Sequence, residues 1–173
     1  MSSIIRGTDN IDSAVIVETN GTAVTDNAIV RFDGVDGKVQ SSSVIINDNG
    51  NLLLTSGTGG IGYGTGAGGT ATQVTNKITP VTLDKPVGLV TMNNAALAAG
   101  ASITFDVNNL LITNTDIVVI APYYSAVNPA SYKIEIVAVL IGVIRLKVTN
   151  ITAGSLSEAL QIKFAIIKGA VSW

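Results

Sequence analysis

Residues 25–54, TDNAIVRFDGVDGKVQSSSVIINDNGNLLL, decide how the chain is read. Short alternating apolar runs are punctuated by Asp33-Gly34, Asp36-Gly37 and Asn49-Gly50. Such pairs favour tight hairpin turns, so the stretch predicts brief strands joined by turns. It holds too few apolar side chains to close a core of its own, and short two-stranded ribbons are marginal in water. The expectation is that copies of the chain wind around one axis and share an interior. Ile29, Val30, Phe32, Val39, Val44, Ile46, Leu52 and Leu54 would then form the contact between copies.

Upstream, residues 1–20 mix Ile4, Ile5, Ile11, Val15, Ile16 and Val17 with acids, Ser and Thr. The segment is apolar enough to pair and too short to fold alone. It reads either as an arm docking on a larger surface, through Ile4, Ile5, Arg6, Ile11, Val15 and Val17, or as a first shaft strand turning at Asn20-Gly21. The opening MSSIIRGTDN carries no long apolar core, so no secretory signal is expected.

Composition supports the same reading. Charged residues make up 13% of the 173, hydrophobic residues 47%, and the mean hydropathy is +0.48. A monomer so poor in charge would show water large neutral or apolar areas, which usually mark contact with other protein. Twelve acidic and ten basic residues leave a net charge of −2, so no basic patch points to nucleic acid. Cysteine and histidine are both absent, which removes disulfides, the usual zinc ligands and the histidine of a catalytic triad. The uncharged run at 136–144 falls well short of the roughly 20 residues needed to span a bilayer, and no membrane partner is expected. It reads as a strand buried on both faces. A soluble protein made in a cytoplasm and stabilised by packing alone is the expectation.

Downstream, residues 57–70, GTGGIGYGTGAGGT, form a glycine-rich break. Gly64, Gly66 and Gly69 spell GxGxxG, with Asp84 at about the distance a dinucleotide site requires. The following ATQVTNKITPVTL is rich in Thr, Val and Pro and does not predict a helix, so no cofactor is expected. From residue 71 onward the pattern is strand after strand. In 143–149, Ile144, Leu146 and Val148 face one way and Arg145, Lys147 and Thr149 the other. In 160–168, Leu160, Ile162, Phe164 and Ile166 oppose Gln161 and Lys163. Period-two burial with a polar back predicts antiparallel sheets with one wet face, stacked as a two-sheet sandwich. Residues 93–100 (NNAALAAG) and the Ser155–Glu158 capping box predict at most a turn or two of helix.

With these residues in view, TDNAIVRFDGVDGKVQSSSVIINDNGN resembles a segment of tail-fibre, spike and head-fibre proteins of tailed bacteriophages, where it forms intertwined trimeric β shaft. Residues 62–109, GYGTGAGGTATQVTNKITPVTLDKPVGLVTMNNAALAAGASITFDVNN, resemble a module of small phage virion proteins, and SLSEALQIKFAIIKG (155–169) is similar to its close. The resemblance implies an all-β chain, with an N-terminal intertwined trimeric β shaft followed by a jelly-roll-like antiparallel β-sandwich. The expected parts are an attachment arm (1–20), a shaft (21–56), a glycine-rich linker (57–70) and a knob (71–173). It implies a homotrimer on the virion, with the major capsid protein or another virion protein as partner, and it brings no catalytic residues. A shaft of about thirty residues is short for a receptor-binding fibre. That favours a capsid decoration, cement or head-fibre protein over a tail fibre whose knob binds a host surface glycan or protein.

Asp106 and Asp116 are the only charges between Lys85 and Lys133 and are candidate paired carboxylates, if a hairpin makes them neighbours. The plainer reading is that each caps a strand end through nearby backbone N–H groups. Asp33, Asp36 and Asp48 sit at turns and miss the calcium-loop spacing, so no metal is assigned to them. Tyr123 and Tyr124, after Pro122 and before Asn128-Pro129, are candidates for receptor contact, against a reading in which they shield the sandwich rim. Trp173 is a third exposed-aromatic candidate. A sugar-binding module unrelated to phage would have to fold as a monomer, which the low charge and the orphan strands oppose.

Overall fold

The computed structural model describes residues 28–33, 38–49, 51–54, 57, 60–123 and 128–170. The chain divides into two compact units, Met1–Ile61 and Gly62–Trp173. In the first, β1 (Ala28–Asp33), β2 (Lys38–Ile46) and β3 (Leu52–Leu54) form an antiparallel sheet in the order β1-β2-β3. Asn47 closes the second turn: its backbone N–H donates to the Asn51 carbonyl at 3.1 Å, and its Oδ1 accepts from the Asn51 N–H at 2.9 Å. This is the asparagine-directed turn that Asn49-Gly50 foreshadows.

The second unit is a pair of four-stranded sheets. Its strands are β4 (Gly68–Thr72), β5 (Val81–Thr82), β6 (Val87–Thr91), β7 (Ser102–Asn108), β8 (Ile117–Tyr123), β9 (Tyr132–Leu140), β10 (Val143–Asn150) and β11 (Gln161–Ile167). One sheet runs β5-β7-β10-β9 and the other β4-β6-β11-β8. Every connection except the β9–β10 hairpin passes from one sheet to the other. Inward residues of both sheets, among them Val90, Phe105, Val107, Ile144, Val148, Ile162 and Phe164, fill one core. Each aliphatic chain fully buried there contributes roughly 1.5–3 kcal/mol. On β6 the inward position opposite Phe164 is Gly88, where a Cβ would overlap the Phe164 ring and the Leu83 side chain.

The chain is all-β, and the alternation expected in 143–149 and 160–168 is present, with Ile144, Leu146, Val148, Leu160, Ile162, Phe164 and Ile166 all buried. Four local readings differ from what the sequence suggested. The sheets are mixed rather than wholly antiparallel, because β4 runs parallel to β6 and β5 parallel to β7. The run at 136–144 is not one strand: Gly142, with φ of 78°, turns it into the β9–β10 hairpin. Neither 93–100 nor Ser155–Glu158 is helical. Instead, Leu97 and Leu156 exchange backbone hydrogen bonds at 2.8 and 3.0 Å, so each segment supplies the other's partner. The end of the glycine-rich break is itself strand β4.

Candidate interaction surfaces

The two outer faces of the sandwich differ in kind. On the β5-β7-β10-β9 sheet, register sets Asp106 opposite Arg145, Thr104 opposite Lys147 and Ser102 opposite Thr149. Arg145 grips Asp106 with two parallel bonds, Nε to Oδ1 at 2.8 Å and Nη2 to Oδ2 at 2.9 Å. That guanidinium holds the Asp106 carboxyl below its usual range. Lys133 pairs with Glu135 at 2.8 Å, and Ser102 meets Thr149 hydroxyl to hydroxyl at 2.7 Å. Asp106 and Arg145 also line an open depression of about 350 Å³ with Ile78, Pro80, Thr104 and Phe105. This face is made for water.

The opposite face is not. Strands β4, β6, β8 and β11 carry a single charged residue, Lys163, whose ammonium sits 4.8 Å from the centroid of the Tyr123 ring. The outward positions of β8 and β11 are paired as Ile117–Ile167, Val119–Ala165, Ala121–Lys163 and Tyr123–Gln161, so the apolar side chains gather at one end of the pair. Ile117, Val119 and Ile167 are 57%, 51% and 51% exposed. More apolar surface lies along the flank where β8 approaches β9. There the loop between β7 and β8 leaves Leu110 84% exposed, and the β9–β10 turn leaves Ile141 77% exposed. Backbone bonds from Gly142 N to Ile112 O (3.1 Å) and Asn109 N to Gly142 O (2.9 Å) hold loop and turn together. A register shift between Arg145 and Leu146 makes Val137 the extra residue of β9, and it too is exposed.

Buried polar side chains fasten the loops that frame these faces. Lys77, almost wholly buried, donates to the carbonyls of Asn93 (2.6 Å) and Glu158 (2.7 Å), and burial lowers its pKa. Gln73 donates to the carbonyls of Lys77 and Thr79 and accepts from the Asn93 N–H. Tyr132 donates its hydroxyl to the Glu158 carboxylate, and burial keeps that phenol protonated well above its normal range. Asp116 accepts from Lys168 Nζ (2.6 Å), Thr113 N (2.8 Å) and Gly169 N (3.0 Å), which holds its carboxyl far below the usual carboxylate range. Among the described residues every buried side-chain polar atom is hydrogen-bonded. These groups are pins: Lys77 and Gln73 bond to backbone, Asp116 to both backbone and Lys168, and Tyr132 to the Glu158 carboxylate.

The expected site residues fall as follows. Ile29, Ile46, Leu52 and Leu54 are exposed on the three-stranded sheet of a single chain, and Val44 is half-buried. The side chains of Val30, Phe32 and Val39 lie outside the described residues, as do the attachment candidates Ile4, Ile5, Arg6, Ile11, Val15 and Val17, and Tyr124 and Trp173. Tyr123 is exposed at the end of β8. Asp106 and Asp116 are not brought together: Asp106 lies on β7, whereas Asp116 just precedes β8 of the other sheet, and each is tied to its own cation. Of the GxGxxG glycines, Gly69 belongs to strand β4, and the Gly66 carbonyl accepts from Lys85 Nζ at 3.0 Å. Among the described residues no group of three or more acidic side chains is placed to hold a metal ion. Sequence reasoning missed the apolar outer face. Its signal was the unbroken IVVIA of β8 and the Ala165 and Ile167 that replace polar residues late in β11.

The surfaces define an all-β protein of two units whose sandwich presents one charged and one charge-poor sheet face. Compared with known protein families, curated proteins and solved structures, the chain matches none of them.

Proposed function

We propose that this chain is a structural virion protein of a tailed bacteriophage, a homotrimer that attaches to the capsid as a decoration, cement or head-fibre subunit. The observation that carries the reading is apolar sheet surface left open in both units. Ile29, Ile46, Leu52 and Leu54 are exposed in the first, and Ile117, Val119 and Ile167 in the second. Charge-poor sheet surface of this kind belongs in protein–protein contact, where charged residues are depleted at the centre. The sequence resemblance of residues 25–51, 62–109 and 155–169 supplies the phage context. In this reading the three-stranded sheet is one chain's share of an intertwined trimeric shaft. The sandwich is a jelly-roll-like knob, a comparison supported by connections that cross between the sheets at nearly every step. The action is mechanical: apolar area removed from water at about 25 cal/mol per Å² holds the trimer and fastens it to the shell.

A second reading is a short tail fibre or spike whose knob binds a host-surface glycan or protein. It is favoured by the Asp106–Arg145 depression and the exposed Tyr123, a polar cleft and an aromatic of the sort that contact sugars. Electron cryo-microscopy of the particle that carries the chain separates the two. Threefold density in many copies on the head is the expected result. Density confined to the tail favours the second reading, and particles lacking the chain overturn both.

A further inference from the structure

We propose that the depression beside Asp106 and Arg145 is a binding site for one ring of a neutral saccharide. This deepens the second reading above and rests on it for the sugar's source. It also places the contact on the charged sheet face, away from Tyr123.

The depression exists because β5 stops short. Pro80 has no N–H to give a ladder, and β5 pairs only with Val107 and Asn108 of β7. From Ser102 to Asp106, β7 has no described strand beside it on that flank. Ile78 and Pro80, on the segment leading into β5, border the gap and line a hollow of about 350 Å³. That volume lies at the small end for ligand sites, and suits a sugar ring better than a length of protein. The wall is firmly held. Thr79 N–H donates to the Asn76 carbonyl (3.2 Å), Ile78 N–H to Asn76 Oδ1 (3.0 Å) and Gln73 Nε2 to the Thr79 carbonyl (2.7 Å). Ile78 is thus fixed in place with 58% of its surface open.

Charge and pattern then select the ligand. Arg145 and Asp106 neutralise one another through bonds of 2.8 and 2.9 Å, and register sets the neighbouring Lys147 opposite Glu135. An anion would meet the Asp106 carboxylate and a cation the guanidinium, so an uncharged ligand fits best. The pair keeps capacity to bond. Among the described residues Arg145 Nη1 has no partner, and each Asp106 oxygen accepts one bond where it has room for two. Because each side chain holds the other, a donor and an acceptor stand ready side by side. Thr104 adds a hydroxyl, and Ile78 and Pro80 add apolar surface. A pyranose ring has the same division, with hydroxyls around its edge and C–H groups on its faces. Tyr123 belongs to the other sheet, with Lys163 over its ring, and takes no part.

Saturation-transfer NMR on the full chain tests the site, with lactose, maltose, chitobiose and mannobiose as neutral probes and sialyllactose as a charged one. Asp106→Ala and Arg145→Ala each break the pair. Both side chains are partly open to water (28% and 43%), so the fold should stand, and the thermal midpoint checks that it does. Tyr123→Ala reports on the opposite face. The expected result is transfer to at least one neutral probe, its apparent affinity falling at least about tenfold in both pair variants and holding in Tyr123→Ala. Binding that survives both pair variants overturns this site, and its loss in Tyr123→Ala would leave the glycan reading standing with another contact. Transfer to sialyllactose alone overturns the neutral ligand. No transfer to any probe overturns the site and the glycan form of the second reading together.

Discussion

Asn150 holds three carbonyls with one amide group, those of Leu97 (2.9 Å), Ala98 (3.1 Å) and Gly154 (2.7 Å), while its Oδ1 accepts from Thr152. The side chain is fully buried at the end of β10. Asn150→Asp keeps the shape but turns a donor into a charged acceptor aimed at three carbonyls. It is expected to lower the unfolding free energy by about 3 kcal/mol or more, and Asn150→Ala by roughly 1–3 kcal/mol. Urea titration of both variants checks the order; an aspartate that is tolerated better than alanine would show that the carbonyl cluster is not what Asn150 serves. Asp116 makes a different prediction, one of pH. Its carboxyl is held below the usual range mainly by Lys168 and by the N–H groups of Gly169 and Thr113. The folded state therefore gains from its ionisation above about pH 4, and that gain drains away as pH falls into and below the ordinary carboxylate range. Between about pH 7 and pH 3 the urea midpoint of the native chain should fall more steeply than that of Asp116→Asn. Parallel curves would place the acid sensitivity elsewhere.

Among the elements, the close approach of β6 and β11 depends on Gly88. Its missing side chain admits the Phe164 ring and Leu83. Gly88→Ala should overpack the core and cost about 1–3 kcal/mol, visible as a lower thermal midpoint with the far-ultraviolet strand signal retained. Beside Phe164→Leu, which makes room, the alanine should be better tolerated. Strands β10 and β11 were legible in the sequence because each has one wall in the core and polar residues on the other, so alternation survives in the residue order. The parallel pairings of β4 with β6 and of β5 with β7 were not legible. β4 is GGTAT, with little apolar signal, and its partner β6 is reached only through the intervening β5, which pairs in the other sheet. Residues 93–100 and Ser155–Glu158 looked like helical turns for a related reason. Local propensity favours a turn in each, and only their pairing through Leu97 and Leu156 makes them extended. The strand in β8 could be read, but its exposed apolar back could not: IVVIA is apolar on both sides, and periodicity cannot tell which side is sealed and which is left open.

At the scale of the molecule, apolar sheet surface lies exposed in both units, and the proposed trimer would make stability a property of the assembly. If copies complete one another, unfolding of the full chain is linked to association by mass action. Its thermal midpoint should rise when chain concentration is raised tenfold, and trimer should persist in warm detergent. A midpoint indifferent to concentration, with the chain sedimenting as a monomer, would contradict that. One more consequence follows from the place of β11, which lies between β6 and β8 and buries Ile162, Phe164 and Ile166. Of the described sandwich strands, β11 is the last to leave the ribosome, after the two it joins. Until its seven residues arrive, β6 and β8 have no common neighbour, and the greasy interior stays open. Synthesis halted between β10 and β11 leaves a sandwich that cannot shut.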